Sequence, residues 1–330
     1  MKSIIFILWI LSSGSAISQT VISGSVFDFK DRDPLPGASV YFDGTTIGTI
    51  TNDDGQFYLE PDATITAPLV ISYIGYQDYY LTLGEQTEDL EIAMQPSAMV
   101  LGEVRLSNDP FTREEKLVAF REQFLGTSEA GRSCRIINED AIRLVFSPVN
   151  NELTASATEP IIIENKYLGY TIRFSMQDFS IQYSKRTLKP WNINQTYYAG
   201  SHFFIDRKPG VPRYRRRRDK AYLGSALHVM RTIAGEDWKA KKFAWYKGGF
   251  PTAPSKSFEV EPTEKLTRIT MKDTLLLVYD DMQQTTMYPR YNNFTIDGYG
   301  NHYPADAILF SGTIGDQRMG DSLPLDYGLE

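Results

Sequence analysis

Hydrolytic zinc chemistry of one common kind needs a His-x-x-Glu pair and a distant third histidine. The chain holds three histidines, His202, His228 and His302, and three residues beyond them stand Ile205, Arg231 and Ala305. The zinc pattern is absent, as are H-E-x-x-H, the G-x-S-x-G nucleophile elbow and the Walker phosphate loop. Gly298-Tyr299-Gly300 lacks the third glycine and the strand–helix context of a dinucleotide site. Cys134 is the only cysteine. It forms no internal disulfide, cannot nucleate a thiolate metal site, and reads as a small buried apolar side chain. Asp53 and Asp54 before Gly55 lack the later ligands of a twelve-residue calcium loop and read as a turn. Asp280 and Asp281 are paired carboxylates, but neighbours on a strand point to opposite faces. The residues therefore assign no catalytic group, no metal ligand and no cofactor.

One cluster invites a binding role. Arg213, Arg215, Arg216, Arg217 and Arg218, with Tyr214 interleaved, form a candidate patch for an anion or a partner. From Asp206 to Lys220 eight Lys or Arg stand against two Asp, a balance of +6, which leaves −13 for the rest of a chain of net charge −7. That acidic remainder argues against nucleic acid as partner. Asp219 is placed to cap a helix over Lys220–Ala234, with Leu223, Leu227 and Met230 along one side and Gly235 as its stop. Arginines at such an N-terminus oppose the macrodipole, so an anion is expected nearby, either a carboxylate of this chain or a ligand. Tyr197, Tyr198, Phe203 and Phe204 offer a stacking platform for sugars or bases, yet at strand spacing they read as cross-strand and core pairs.

These groups need a scaffold, and composition indicates a β-rich one. Apolar residues make up 42% and charged residues 23%, the balance of a folded chain, and the 20 Tyr and 18 Phe suit pleated surfaces. Lys2, the apolar run Ile4 to Leu11 and the small residues Ser12 to Ser18, ending in Ala16-Ile17-Ser18, read as an export signal over 1–18. Eight apolar residues span about 12 Å as helix, too short for a roughly 30 Å hydrocarbon core. No later segment is long enough to span as a helix either. The expected location is the periplasm, the outer-membrane surface or the medium.

From Val21 to Met94 about seven short strands alternate with turn signals, the mark of a small antiparallel sandwich. Gly48–Thr51 and Gln56–Leu59 are expected to pair across Asn52-Asp53-Asp54-Gly55. Four pieces carry a resemblance: Val21-Ile22-Ser23-Gly24-Ser25-Val26, Pro34-Leu35-Pro36-Gly37-Ala38-Ser39-Val40, Gly48-Thr49-Ile50-Thr51-Asn52-Asp53-Asp54-Gly55-Gln56-Phe57, and Ile71-Ser72-Tyr73-Ile74-Gly75-Tyr76. In that order they resemble the carboxypeptidase regulatory-like domain. The resemblance implies a transthyretin-like β-sandwich over 19–97, a module found at the N-terminus of exported envelope proteins, including energy-coupled outer-membrane receptors, and not itself a peptidase.

A linker is expected over 98–110 and an α+β domain over 111–330. Thr112-Arg113-Glu114-Glu115 is a capping box for a helix over Arg113–Leu125, which Gly126 stops. Tyr170, Ile172, Phe174 and Met176 share one parity and Phe179, Ile181 and Tyr183 the other, so a bulge is expected near Gln177-Asp178. Ile269–Tyr279 reads as a strand pair around Lys272-Asp273, its second strand buried on both faces. Pro160 to Asn165 with Leu168-Gly169-Tyr170, Arg215 to Arg218 with Ala221 to Ser225, and Leu323 to Tyr327 resemble the uncharacterised region that follows the regulatory-like domain in some Gram-negative envelope proteins. That resemblance implies no activity. The expected whole is a mostly β, non-catalytic envelope protein, a β-sandwich adaptor plus an α+β domain that binds a protein or glycan. A hydrolase of envelope polymers using second-domain carboxylates, and an accessory partner of an outer-membrane receptor, are the alternatives.

Overall fold

A computed structural model describes residues 21–61, 65–84, 86–97, 109–238, 242–263 and 265–329. The export segment over 1–18 and most of the 98–110 linker lie outside the described residues. The architecture is mostly β, as the sequence indicates, and its sheets are antiparallel except where the first and last strands of the sandwich pair in parallel. Among the described residues the apolar side chains gather into three cores in chain order.

The first core lies inside a sandwich of β1 (Ile22–Asp28), β2 (Ser39–Phe42), β3 (Gly48–Ile50), β4 (Gln56–Leu59), β5 (Leu69–Ser72), β6 (Tyr79–Leu81) and β7 (Leu90–Met94). One sheet runs β4-β1-β7 and the other β3-β2-β5-β6. Val26 and Ile92 of the first face Val40, Phe42 and Ile71 of the second, all buried. The pairing expected between β3 and β4 does not form: β3 pairs with β2, and β4 with β1. Two anchors pull the turn across the layers. Thr51 N donates to Ala38 O beside β2 (2.9 Å), and Gly55 O accepts from Val26 N of β1 (2.8 Å). Gly55 sits at φ 73°, and a Cβ there would meet Val26 O at 2.5 Å. Asn52 Oδ1 accepts from the amides of Asp54 and Gln56, so the turn is an Asx turn with Asp53 and Asp54 exposed.

The second core belongs to α1 (Arg113–Leu125), α2 (Glu129–Arg132), β8 (Cys134–Ile136), β9 (Ile142–Ser147), β10 (Glu152–Ala157), β11 (Ile161–Asn165), β12 (Tyr170–Tyr183) and β13 (Ile193–Asp206). The Thr112–Glu115 capping box is present on α1. The long β12 pairs with β11 and β10 along one side and β13 along the other, and its register shifts between Met176 and Asp178, where the parity switch predicts a bulge. Phe120 of α1 packs at a tilt against Phe179 of β12, and Phe124 packs edge-on against Phe174. The outer edge of β9 is closed by side chains. Arg113 donates to Ile142 O (2.8 Å), Lys116 to Leu144 O (3.1 Å), and Asp109 accepts from Phe146 N (3.1 Å).

Two helices follow, α3 (Pro212–Tyr222) and α4 (Ala226–Ala234), where the sequence pattern suggests one from Lys220. Pro212 opens α3 at a position where its missing N–H costs nothing, and arginine is a strong helix former, so the arginines extend the helix rather than precede it. Gly224 at φ 81° breaks the chain, and Ser225, not Asp219, caps α4. The arginines therefore oppose the macrodipole of α3 rather than that of α4, with Arg213 and Arg215 at its N-terminal end.

The third core lies under α4, inside a second pair of sheets. These are built from β14 (Phe243–Lys247), β15 (Phe250–Pro251), β16 (Phe258–Pro262), β17 (Leu266–Met271), β18 (Leu275–Tyr279), β19 (Gln283–Pro289), β20 (Asn293–Asp297), β21 (His302–Tyr303) and β22 (Ile308–Gly312). The orders are β15-β14-β18-β19-β22 and β16-β17-β20-β21. β17 and β18 thus sit in opposite sheets, not paired around Lys272-Asp273. β18 alternates between buried and half-buried residues, with Leu275, Leu277 and Tyr279 inward, so only one face is in the core.

Candidate functional site

The residues singled out in the sequence go to different places. Arg218 is buried on α3: its guanidinium forms two 2.7 Å bonds to Asp206, donates to Leu168 O and lies 4.0 Å over the Tyr170 ring. Burial works to raise the Asp206 pKa, but the Arg218 bonds outweigh it and hold the carboxyl below its usual range. Arg217 donates to Tyr167 O and stacks 4.4 Å over that ring. Arg213 lies over Tyr214, while Arg215 and Arg216 are exposed. Arg215 and Arg218 line a cavity of about 270 Å³ together with Asp206, Asp219, Asp326 and Tyr327.

His202 and His302 both line a smaller cavity of about 230 Å³, with Ser225 and Asp321. His228 is buried on α4, its Nδ1 accepting from Gly224 N (3.0 Å). Asp280 and Asp281 occupy the β18–β19 turn, both at positive φ and exposed. Among the described residues no group of three His, Cys, Asp or Glu is placed to hold a metal ion. Phe204 is buried in the second core and Tyr198 packs on Phe124, the core role their spacing suggests, while Phe203 packs on Tyr41 of the sandwich.

That last contact belongs to a seam the sequence does not announce. The loop after β2 lies along β13: Gly44 N donates to His202 O (2.7 Å), Phe204 N to Thr45 O (2.9 Å), and His202 N to Asp43 Oδ1 (2.7 Å). Gly48 leaves room for the Phe203 ring, which a Cβ would meet at 2.8 Å. Two carboxylates tie the chain's end to the sandwich. Asp326 accepts from both N and Oγ1 of Thr46, and Asp297 accepts from Thr66 N (3.0 Å) and Oγ1 (2.6 Å). Tyr299, just beyond β20, buries its side chain in the sandwich core. Arg173 adds a bond to Ser39 Oγ (3.0 Å), so the sandwich is fastened to the remainder at several places.

Beside this seam lies a groove of about 330 Å³ between the β5–β6 region and the six-stranded sheet. Tyr73, Tyr76, Tyr80 and Asp78 line one side, Glu159 and Gln177 the other. The Tyr73 and Tyr76 rings are 5.4 Å apart and tilted. Tyr76 donates to Asp28 Oδ2 (2.8 Å), a bond that raises the phenol pKa and lowers that of the carboxyl. Burial raises the pKa of Tyr80, whose hydroxyl is 3.2 Å from Ser201 Oγ. Tyr76 and Tyr80 therefore stay protonated at neutral pH. The groove thus brings tyrosine side chains together with amide, carboxylate and hydroxyl groups. Sequence reading misses it because Tyr73–Tyr80 and Glu159–Gln177 are far apart in the chain; the one local signal is a tyrosine cluster in a turn-rich stretch.

Comparison with known proteins agrees with the sandwich. Residues 22–106 match the CarboxypepD_reg-like domain family, so the chain carries that domain. The TonB-dependent receptor P26 of Formosa agariphila is 36% identical over 81 residues, 24% of this chain and 8% of the receptor. The TonB-dependent receptor SusC of Bacteroides thetaiotaomicron is 35% identical over 94 residues, 28% of this chain and 9% of the receptor. The chain therefore spans less than a tenth of the length of either relative. Among solved structures, a DUF3823 family protein from Bacteroides ovatus aligns over 84% of this chain and 98% of its own at 9% identity, with a TM-score of 0.18.

Proposed function

We propose that this is a non-catalytic binding protein of the bacterial envelope that takes a glycan in the groove between the sandwich and the six-stranded sheet. The observation that carries the proposal is the groove itself. Tyrosine faces on one wall oppose Glu159 and Gln177 on the other, the pairing of flat apolar and hydrogen-bonding groups that a sugar ring's apolar face and hydroxyl rim require. The regulatory-like domain, shared with segments of TonB-dependent receptors, supports an envelope location after export. In this reading the sandwich supplies half of a site rather than serving as a detached adaptor.

The test is a glycan array probed with the full chain and with Tyr73→Ala. Signals on a discrete set of glycans that the substitution lowers at least tenfold support the reading. An array without signal, or one indifferent to the substitution, contradicts it.

A further inference from the structure

A different surface, independent of the glycan groove, follows from the hydrogen-bond bookkeeping of β13. In an antiparallel strand the N–H and C=O of one residue point to the same side, and sides alternate along the chain. His202 O and Phe204 N point away from β12, since they bond Gly44 and Thr45 of the sandwich. The pairing of β13 with β12 is regular in β13 from Gln195 to Asp206, the bulge near Met176 being carried by β12. The same parity therefore turns the backbone groups of Thr196, Tyr198 and Gly200 outward. Among the described residues no backbone group bonds them. Half of the 14-residue strand is covered by the sandwich, and the collinear half is an open edge.

Open edges are normally blunted by charge, proline or a covering element. The opposite margin of this sheet follows the rule, with Arg113, Lys116 and Asp109 occupying the edge groups of β9. The stretch Ile193–Gly200 carries no charged residue and no proline. At its N-terminal end the β12–β13 hairpin projects Lys185, Arg186 and Lys189, exposed and outside every ion pair of the described residues. Trp191 stands beside them, 77% exposed, with Lys189 5.2 Å from its ring centroid. An aromatic anchor beside unpaired cations is the composition of a hot spot for an anionic partner.

We infer that β13 receives an extended strand from a partner protein, added to the sheet edge at Thr196–Gly200 in line with the sandwich's own Asp43–Thr45 contact, with acidic residues of that strand over Lys185, Arg186 and Lys189. Backbone bonds at the edge give affinity, and the cationic hairpin tip selects the partner by charge.

The experiment uses the full chain and synthetic peptides of alternating Thr and Val bearing three Glu at either end, with Lys-bearing and proline-interrupted versions as controls. Amide hydrogen exchange reads the edge directly. In the free chain the amides of Thr196, Tyr198 and Gly200 exchange fast. A Glu-bearing peptide slows them at least tenfold, and the Lys-bearing and proline-interrupted versions do not. Thr196→Pro removes an outward N–H without touching the β12 ladder and abolishes the protection. Should that variant misfold, reversing the charge of exposed Lys185, Arg186 and Lys189 to Glu transfers the preference to the Lys-bearing peptide. Slow exchange at these amides in the free chain would show an occupied edge and overturn the inference. So would protection that grows with protein concentration alone, which assigns the edge to a second copy, or equal response to all peptides.

Discussion

Asp297, at the end of β20 and 4% exposed, is the most heavily used carboxylate of the seam. Its Oδ2 accepts from Thr66 N and Oγ1 in the sandwich, and its Oδ1 from Tyr299 N and Asn301 N, each at 2.9 Å. Asp297→Ala deletes four bonds to a charged acceptor. Bonds to charged groups are worth about 1.5–3 kcal/mol each, but Thr66 and Asn301 are only half-buried and recruit water when freed. One uncompensated loss remains, at the buried Tyr299 N–H, so the expected destabilisation is about 1.5–3 kcal/mol. Thermal unfolding should shift down by on the order of 4 °C for a chain of this size. Because Thr66 lies in the sandwich and Asp297 in the third core, the variant should also split unfolding into two transitions, followed by tryptophan fluorescence and far-UV circular dichroism. A double-mutant cycle with Thr66→Val should return a coupling of about 1 kcal/mol or more. A shift under 2 °C, with one transition and no coupling, would refute the view that the seam welds sandwich to remainder.

Other expectations follow from single contacts. Lys116 is buried against Asp109 at 2.5 Å, so Lys116→Ala leaves an unpaired carboxylate and an open β9 edge, costing about 3 kcal/mol by urea titration and promoting aggregation. Burial pushes the Cys134 thiol up to about 12, so a disulfide reagent at pH 8 should label it only as the chain unfolds. Asp206 is held below its ordinary value when folded, so its contribution is present above about pH 4 and lost as pH falls through the lowered value. Asp206→Asn should therefore be less stable than the parent at pH 7 and show a shallower loss of thermal stability between pH 5 and 2.

What could be read from the sequence was local. The α1 capping box spans four residues, the β12 bulge announces itself by parity, and the sandwich motif keeps its order across some fifty positions; each signal sits in the segment it describes. Partners across space were not legible. β3 and β4, like β17 and β18, are adjacent strands that look like hairpins, but their layer is decided by anchors outside the pair: Ala38 and Val26 for the first, β16 and β14 for the second. Asp219 resembles a cap and so suggests a helix that follows the arginines, whereas Pro212 starts the helix seven residues earlier. The groove and the seam join residues up to 280 apart in the chain, and no periodicity encodes such a meeting.

The central claim is that one glycan site spans the seam. Isothermal titration of an array-selected oligosaccharide into the full chain, Tyr73→Ala on the sandwich wall and Gln177→Ala on the sheet wall tests it most directly. The account predicts that each substitution weakens binding at least fivefold. Gln177→Ala should stay within about 1 kcal/mol of the parent in stability, as for a surface position, and Tyr73→Ala should be folded but less stable by about 1–3 kcal/mol because its half-buried ring packs against the sandwich core. Loss of affinity from one wall alone, with the other indifferent, would contradict it.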